Sequence, residues 1–121
     1  MEPPSTKRLI GIVGPCGSGK STLMAGLEGR GFTCRHIAQE HSYVQEMWQI
    51  ITKPDVLIFL NSSFETSTMR RKLDWHEKDY REQLRRLTHA RERAHLIIET
   101  DKLTANEVLE KALDFLTKLD T

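Results

Sequence analysis

Cysteine is scarce in this 121-residue chain: Cys16 and Cys34 are the only two, and they show no pairing pattern. That excludes a disulfide-stapled scaffold and suits a reducing, cytoplasmic setting. Charge of one sign is also missing. Eighteen Lys and Arg against seventeen Asp and Glu leave a net charge of +1, so neither an acidic tail nor whole-chain affinity for nucleic acid is indicated. Long apolar runs are absent. Val56-Leu57-Ile58-Phe59-Leu60 falls far short of a membrane span, so no membrane partner is expected. Repeats, low-complexity tracts and linkers are absent too. Met1-Glu2-Pro3-Pro4-Ser5-Thr6 has no apolar h-region, which argues against a secretory signal; residues 1–7 are expected to be a disordered lead-in. With a hydrophobic content of 38%, residues 8–121 should make one domain around one lean core.

What is present alternates. Leu9–Val13 is a short apolar run ending in a glycine-rich loop, the pattern of a buried strand. Leu23, Met24 and Leu27 give a helical stripe from Lys20 to a stop at Gly29-Arg30-Gly31. Phe32–Ala38 predicts a weaker strand. Ser42 and Gln45 have capping-box spacing ahead of a helix running to Ile51, on which Tyr43 and Trp48 are expected to face the core. Asp55–Leu60 is the clearest strand. Ser62-x-x-Glu65 then predicts a helix to about Lys72, and Asp74-x-x-Glu77 a second one to about Arg93. His95–Glu99 is a fourth strand, and Thr104-x-x-Glu107 caps an amphipathic last helix. Strands of this kind alternating with helices imply an α/β fold: a parallel sheet with helices on both faces.

Chemistry concentrates in Gly14-Pro15-Cys16-Gly17-Ser18-Gly19-Lys20-Ser21, which satisfies G-x-x-x-x-G-K-[ST] between a strand and a helix. Glycines let successive N–H groups, those of Gly14, Cys16, Gly17, Ser18 and Gly19 among them, converge on one phosphate. The helix starting at Lys20 adds its positive end. Lys20 is expected to bridge the β- and γ-phosphates, Ser21 to ligate Mg²⁺, and Thr22 to reach the α-phosphate. Cys16 sits in the variable part of the loop as a tolerated small residue.

Phosphoryl transfer also needs a carboxylate to hold the Mg²⁺ shell or take the acceptor's proton. Ligands of parallel sheets lie at the carboxyl ends of the strands, so Asp55, at the other end, is a strand-entry residue. Glu40 is the first choice, ahead of Asp101, with Asn61, Ser62 and His41 weaker. Between Arg70 and Arg93 the chain is basic. Arg70 and Arg71 are the better candidates for neutralising phosphate charge. Arg81, Arg85 and Arg86 divide between a lid and a solvated face of (i, i+4) pairs. Trp75 is either a lid-hinge anchor or the first apolar residue after a cap.

On GPCGSGKS, and more softly on Pro54–Leu60 followed by Ser63-Phe64-Glu65-Thr66-x-x-x-Arg70, the chain resembles the small P-loop kinases of the nucleoside/nucleotide kinase-like group. The resemblance implies a three-layer P-loop NTPase fold with a sheet of about four parallel strands and a helical lid over about residues 70–93. It implies ATP and Mg²⁺ as cofactors, Arg70 near the adenine, and the loop Thr100-Asp101-Lys102-Leu103 against the same base. The group's acidic acceptor motifs are absent, and only residues 32–53 fill the place of its extra strand–helix unit. The function expected is therefore ATP-dependent phosphoryl transfer to a small acceptor, with Lys20, Glu40, Arg70 and Arg71 carrying the chemistry. A nucleotide-binding switch with a protein partner is the alternative. The Tyr43–Ile51 helix either buries a homodimer contact or covers the sheet.

Overall fold

The structure is a computed structural model and describes residues 8–119. The lead-in expected at 1–7 lies outside the described residues. Four strands, β1 (Leu9–Val13), β2 (Thr33–His36), β3 (Val56–Asn61) and β4 (Leu96–Glu99), form one all-parallel sheet in the order β2-β1-β3-β4. Ile10 lies opposite both Cys34 and Val56, and Ile58 opposite Leu96. The chain leaves β1 towards β2 on one side and leaves β3 towards β4 on the other. The crevice at the carboxyl ends of β1 and β3 is therefore the switch point of the sheet.

Alternation along the strands feeds two cores. Ile10, Ile12, Val56, Ile58, Leu60 and Ile98 face α1 (Lys20–Glu28) and α5 (Ala105–Leu119), which contribute Leu23, Leu27, Val108, Ala112 and Leu116. Burial of each large aliphatic side chain stabilises by about 1.5–3 kcal/mol. Val13, Leu57 and Phe59 face the other way, onto Ile37, Trp48, Leu87 and Ala90. Helix α5 has the expected reciprocal cap: Thr104 N–H donates to Glu107 Oε1, and Glu107 N–H donates to Thr104 Oγ1. Asp55, as a strand-entry residue, accepts from Leu9 N–H at 2.7 Å. Among the described residues no helix is long and apolar enough to cross a membrane.

The structure departs from the sequence pattern on the second face. No α-helix spans 43–51; the chain makes a 3₁₀ turn at Gln39–His41, bends, and closes a π-helical turn at Trp48–Thr52. Ser42 Oγ does accept from a nearby N–H, but from that of Val44. Gln45 is drawn away from the cap into the helix across the crevice. Its amide donates to Arg85 O at 2.8 Å and accepts from His89 N–H at 3.1 Å, so it is inserted between two groups that would otherwise bond each other. Such an insertion interrupts the ladder. The single helix expected to reach Arg93 is accordingly two, α3 (Glu77–Arg86) and α4 (Thr88–Arg93), broken at Leu87. Nor does 70–93 stand off as a flap. Leu87 and Ala90 are fully buried on the sheet, and Gln83 is buried beside the glycine-rich loop. Helix α2 (Phe64–Arg71) is capped by Ser63, whose Oγ accepts from Thr66 N–H, not by Ser62. Ser62 is buried and bonded to Ser67. The cap of α3 is likewise displaced, from Asp74 to His76.

Candidate functional site

Between β1 and α1 the glycine-rich loop sits at the switch point. Gly17 adopts φ +82°, and a Cβ there would lie 2.5 Å from Ser67 O, so α2 packs on the loop at a distance only glycine tolerates. Gly19, at φ +100°, would meet nothing within 4 Å: the space in front of it is open. Gly19 is also the N-cap of α1 and offers no side-chain cap, which leaves the first N–H groups of the helix for an external acceptor.

Lys20 is 6% exposed. Its ammonium donates to Gly14 O at 2.5 Å, Pro15 O at 3.2 Å and Glu40 Oε2 at 2.7 Å. Glu40 comes from the 3₁₀ turn after β2 and is 3% exposed, and its Oε1 has no hydrogen-bond partner. Ser18 Oγ, buried in the loop, has none either. Buried polar groups are nearly always satisfied; Glu40 Oε1, on the carboxylate that pairs with Lys20, and Ser18 Oγ, in the loop, are exceptions. Nearby His36 is pushed below the usual histidine range, first by desolvation and then by the charge of Lys20.

In front of the loop lies a cavity of about 350 Å³ lined by Gly17, Ser18, Gly19, Lys20, Ser21, Thr22, His36, Arg70 and Arg71. A second, of about 170 Å³, shares Ser18, Gly19, Thr22 and Arg70 but adds apolar walls from Leu23, Leu103 and Val108. Polar and apolar compartments thus adjoin. Arg70 braces the wall between them, donating to Thr100 Oγ1 at 2.9 Å, Thr100 O at 2.7 Å and Gly17 O at 3.4 Å. The Arg71 guanidinium makes no hydrogen bond or ion pair among the described residues.

Other expected residues lie elsewhere. Asp101 and Lys102 line neither cavity; Thr100 and Leu103 of the same loop do. Asp101 Oδ1 accepts Ser63 N–H at 2.9 Å, at the start of α2. Partial desolvation pushes its carboxyl up, but hydrogen bonds from Ser63 and Thr66 and the charge of Arg70 outweigh it and hold the group below the usual range. Asn61 is bonded to Glu99 across the strand ends. Arg81 and Arg85 are exposed and paired with Glu77 and Glu82, which makes theirs a solvated face. Arg86 differs: it is 19% exposed, reaches Glu40 O at 3.4 Å and lies 4.3 Å over the Tyr43 ring. Tyr43 itself is 84% exposed, not in the core, whereas Trp48 is buried as expected and donates to His89 Nδ1. Trp75 stacks with Phe64, meets Tyr80 edge-on and donates to Thr68, fastening α2 to α3.

Sequence reasoning missed Gln83. Its side chain accepts from Cys16 N–H at 3.0 Å and donates to Cys16 Sγ at 3.2 Å, so Cys16 is held in place by α3. The signal was a polar residue on the stripe of Tyr80, Leu84 and Leu87, where a buried amide needs a partner. Neither a scan against protein-family models nor a search of the curated proteins finds a match for this chain.

Proposed function

We propose that the chain is a P-loop protein that binds ATP or another nucleoside triphosphate and transfers its terminal phosphoryl group to a small hydroxylated acceptor. One observation carries the reading. A buried lysine lies between an open, uncapped helix start and a carboxylate with an unpartnered oxygen, at the switch point of a parallel sheet. In this role Ser18 Oγ and the loop N–H groups other than those of Cys16 and Ser18, which are bonded to Gln83 Oε1 and Pro15 O, donate to phosphate oxygens. Lys20 turns from the Gly14 and Pro15 carbonyls towards the phosphates. Leu23, Leu103 and Val108 offer an apolar seat for the base, and Arg70 keeps that seat joined to the loop. Arg71 faces the larger cavity and neutralises developing charge. Glu40 Oε1 takes the proton of the acceptor hydroxyl.

The oxygen donors of Ser21 and Glu40 suit a hard cation such as Mg²⁺, which when bound neutralises phosphate charge. The reducing setting that suits the cysteines makes a cytoplasmic location part of the same proposal. A nucleotide-binding switch is favoured by a different observation: Arg70 is already occupied by three protein acceptors, which leaves Arg71 as the cation facing the larger cavity from α2.

Titration with a fluorescent ATP analogue and Mg²⁺ tests binding. Lys20→Ala is expected to weaken it by about 1.5–3 kcal/mol, roughly ten- to hundredfold in Kd. A screen of labelled ATP against nucleosides, nucleotides and hydroxylated metabolites tests transfer, with Glu40→Gln expected to keep binding and lose turnover. If no nucleoside triphosphate binds the folded protein, the proposal fails. Binding without transfer to any acceptor selects the switch.

A further inference from the structure

At Glu40 three chemically different ligands converge. Cys16 Sγ, His41 Nε2 and the Glu40 carboxylate all lie within 4.8 Å of one another. Sγ and Nε2 are 3.6 Å apart, and Nε2 is 3.8 Å from Glu40 Oε2. Tetrahedral zinc, with Zn–S of about 2.3 Å and Zn–N of about 2.0–2.1 Å, places sulfur and nitrogen about 3.6 Å apart. We propose that Cys16, His41 and Glu40 form a site for a thiophilic divalent cation of the Zn²⁺ class, clamping the glycine-rich loop to the 3₁₀ turn after β2.

Four observations bear on it independently of the nucleotide reading. The donor set of thiolate, imidazole and carboxylate suits zinc and disfavours Mg²⁺ or Ca²⁺, which take oxygen. Glu40 is 3% exposed, and the oxygen it turns towards His41 is Oε2, which also accepts from Lys20, so the cation would share that oxygen with the ammonium and leave Oε1 free. Gln83 supplies the outer support that metal-bound groups ordinarily have: its Nε2–H donates to Cys16 Sγ and its Oε1 fixes the Cys16 backbone. His41 is 59% exposed, which gives the ion a path in and leaves the fourth position to water. Binding displaces the Cys16 thiol proton, which passes to solvent. Cys34 has no such surroundings. It is buried in the α1/α5 core, where desolvation, aided by Glu28, pushes its thiol up to about 11.

The test is titration of metal-free protein with Co²⁺ alone and then Zn²⁺ alone, without nucleotide. The expected result is one Co²⁺ per chain with thiolate-to-cobalt absorption in the near ultraviolet and tetrahedral visible bands, displaced by Zn²⁺. Cys16→Ser should abolish the thiolate band. His41→Gln should weaken Zn²⁺ binding, and Gln83→Ala should weaken it by about 10–100-fold, as loss of outer support does. Cys34→Ser should change nothing. Circular dichroism establishes that each variant is folded, and should Cys16→Ser fail to fold, His41→Gln and Gln83→Ala carry the test. The proposal is overturned by an octahedral cobalt spectrum without thiolate absorption, by unchanged Zn²⁺ affinity in His41→Gln, or by a thiolate band that follows Cys34.

Discussion

The two faces of the sheet are covered by different means. Under α1 and α5 the contact is almost wholly aliphatic, with Leu27, Ala112 and Leu116 at or near complete burial. Across the sheet the apolar cluster is smaller, and α3 and α4 are held by glutamines that reach far along the chain. Gln39 accepts from Trp48 N–H and donates to Val44 O and Arg86 O; Gln45 bridges Arg85 and His89; Gln83 grips Cys16. A short chain with little core material can thus complete a second layer through side-chain-to-backbone hydrogen bonds. Each adds roughly 1 kcal/mol net but costs more when one partner is removed. The apolar face supplies stability. The glutamine face supplies position, and both Cys16 and Glu40 hang from it.

Equal deletions on the two faces put the largest effects against each other. Leu27→Ala is expected to cost about 4 kcal/mol, near the upper part of the range for buried leucines, because α5 and the strands β1 and β2 pack against the helix that carries it. Leu87→Ala, though equally buried, should cost about 2–3 kcal/mol, because the helix break beside it lets the site collapse. Urea unfolding of both variants measures the difference. Equal losses would break the comparison.

Next in size are the glutamines themselves. Gln39→Ala strands the Trp48 N–H and the Arg86 carbonyl, while Val44 O keeps the Met47 N–H, and is expected to cost about 2 kcal/mol. Gln45→Ala should cost less than about 1 kcal/mol, because Arg85 C=O and His89 N–H, released from its amide, can bond each other and mend the ladder. The α3–α4 break should then become more helical by amide hydrogen exchange. If Gln45→Ala proves the costlier of the two, the inserted amide is holding the layer and not merely interrupting it.

The same contrast decides what could be read from the residues in order. The four strands, α1, α5 and the cap of α5 follow from apolar period and local spacing, and the structure places them within a few residues. Lys20 and Glu40 are both expected at the carboxyl ends of the strands, but that they pair with each other is seen only in the fold. Apart from the displaced caps of α2 and α3, what failed depended mostly on partners distant in sequence. Ser42 and Gln45 have the spacing of a cap, but Gln45 finds Arg85 and His89 instead. Tyr43 falls on an apolar stripe, yet the stripe never becomes a helix. Gln83 looked like one more polar residue of a basic helix, because its partner lies 67 positions away on the loop. Local rules predict local bonds, and the second face is made of the other kind.

The smallest effect tests whether polar fastening extends to the rim of the site and whether it is ionic there. Asp101 caps the start of α2 through Ser63 N–H, and its carboxyl is held below the ordinary value. A carboxyl whose folded pKa is lowered stabilises the fold above its unfolded pKa, about 3.9 for aspartate, and loses that contribution as pH falls through the folded value. Asp101→Asn keeps the acceptor oxygen and removes the charge. The variant should therefore melt slightly below the parent at pH 7, by a margin kept small because Asp101 is exposed to solvent. The two melting curves should converge as the pH is taken down through the parent's lowered folded value, where its carboxyl gains its proton. A gap that stays constant across that range would mean that α2 is held by a neutral hydrogen bond. The rim would then belong with the glutamine face, in which position is set without charge.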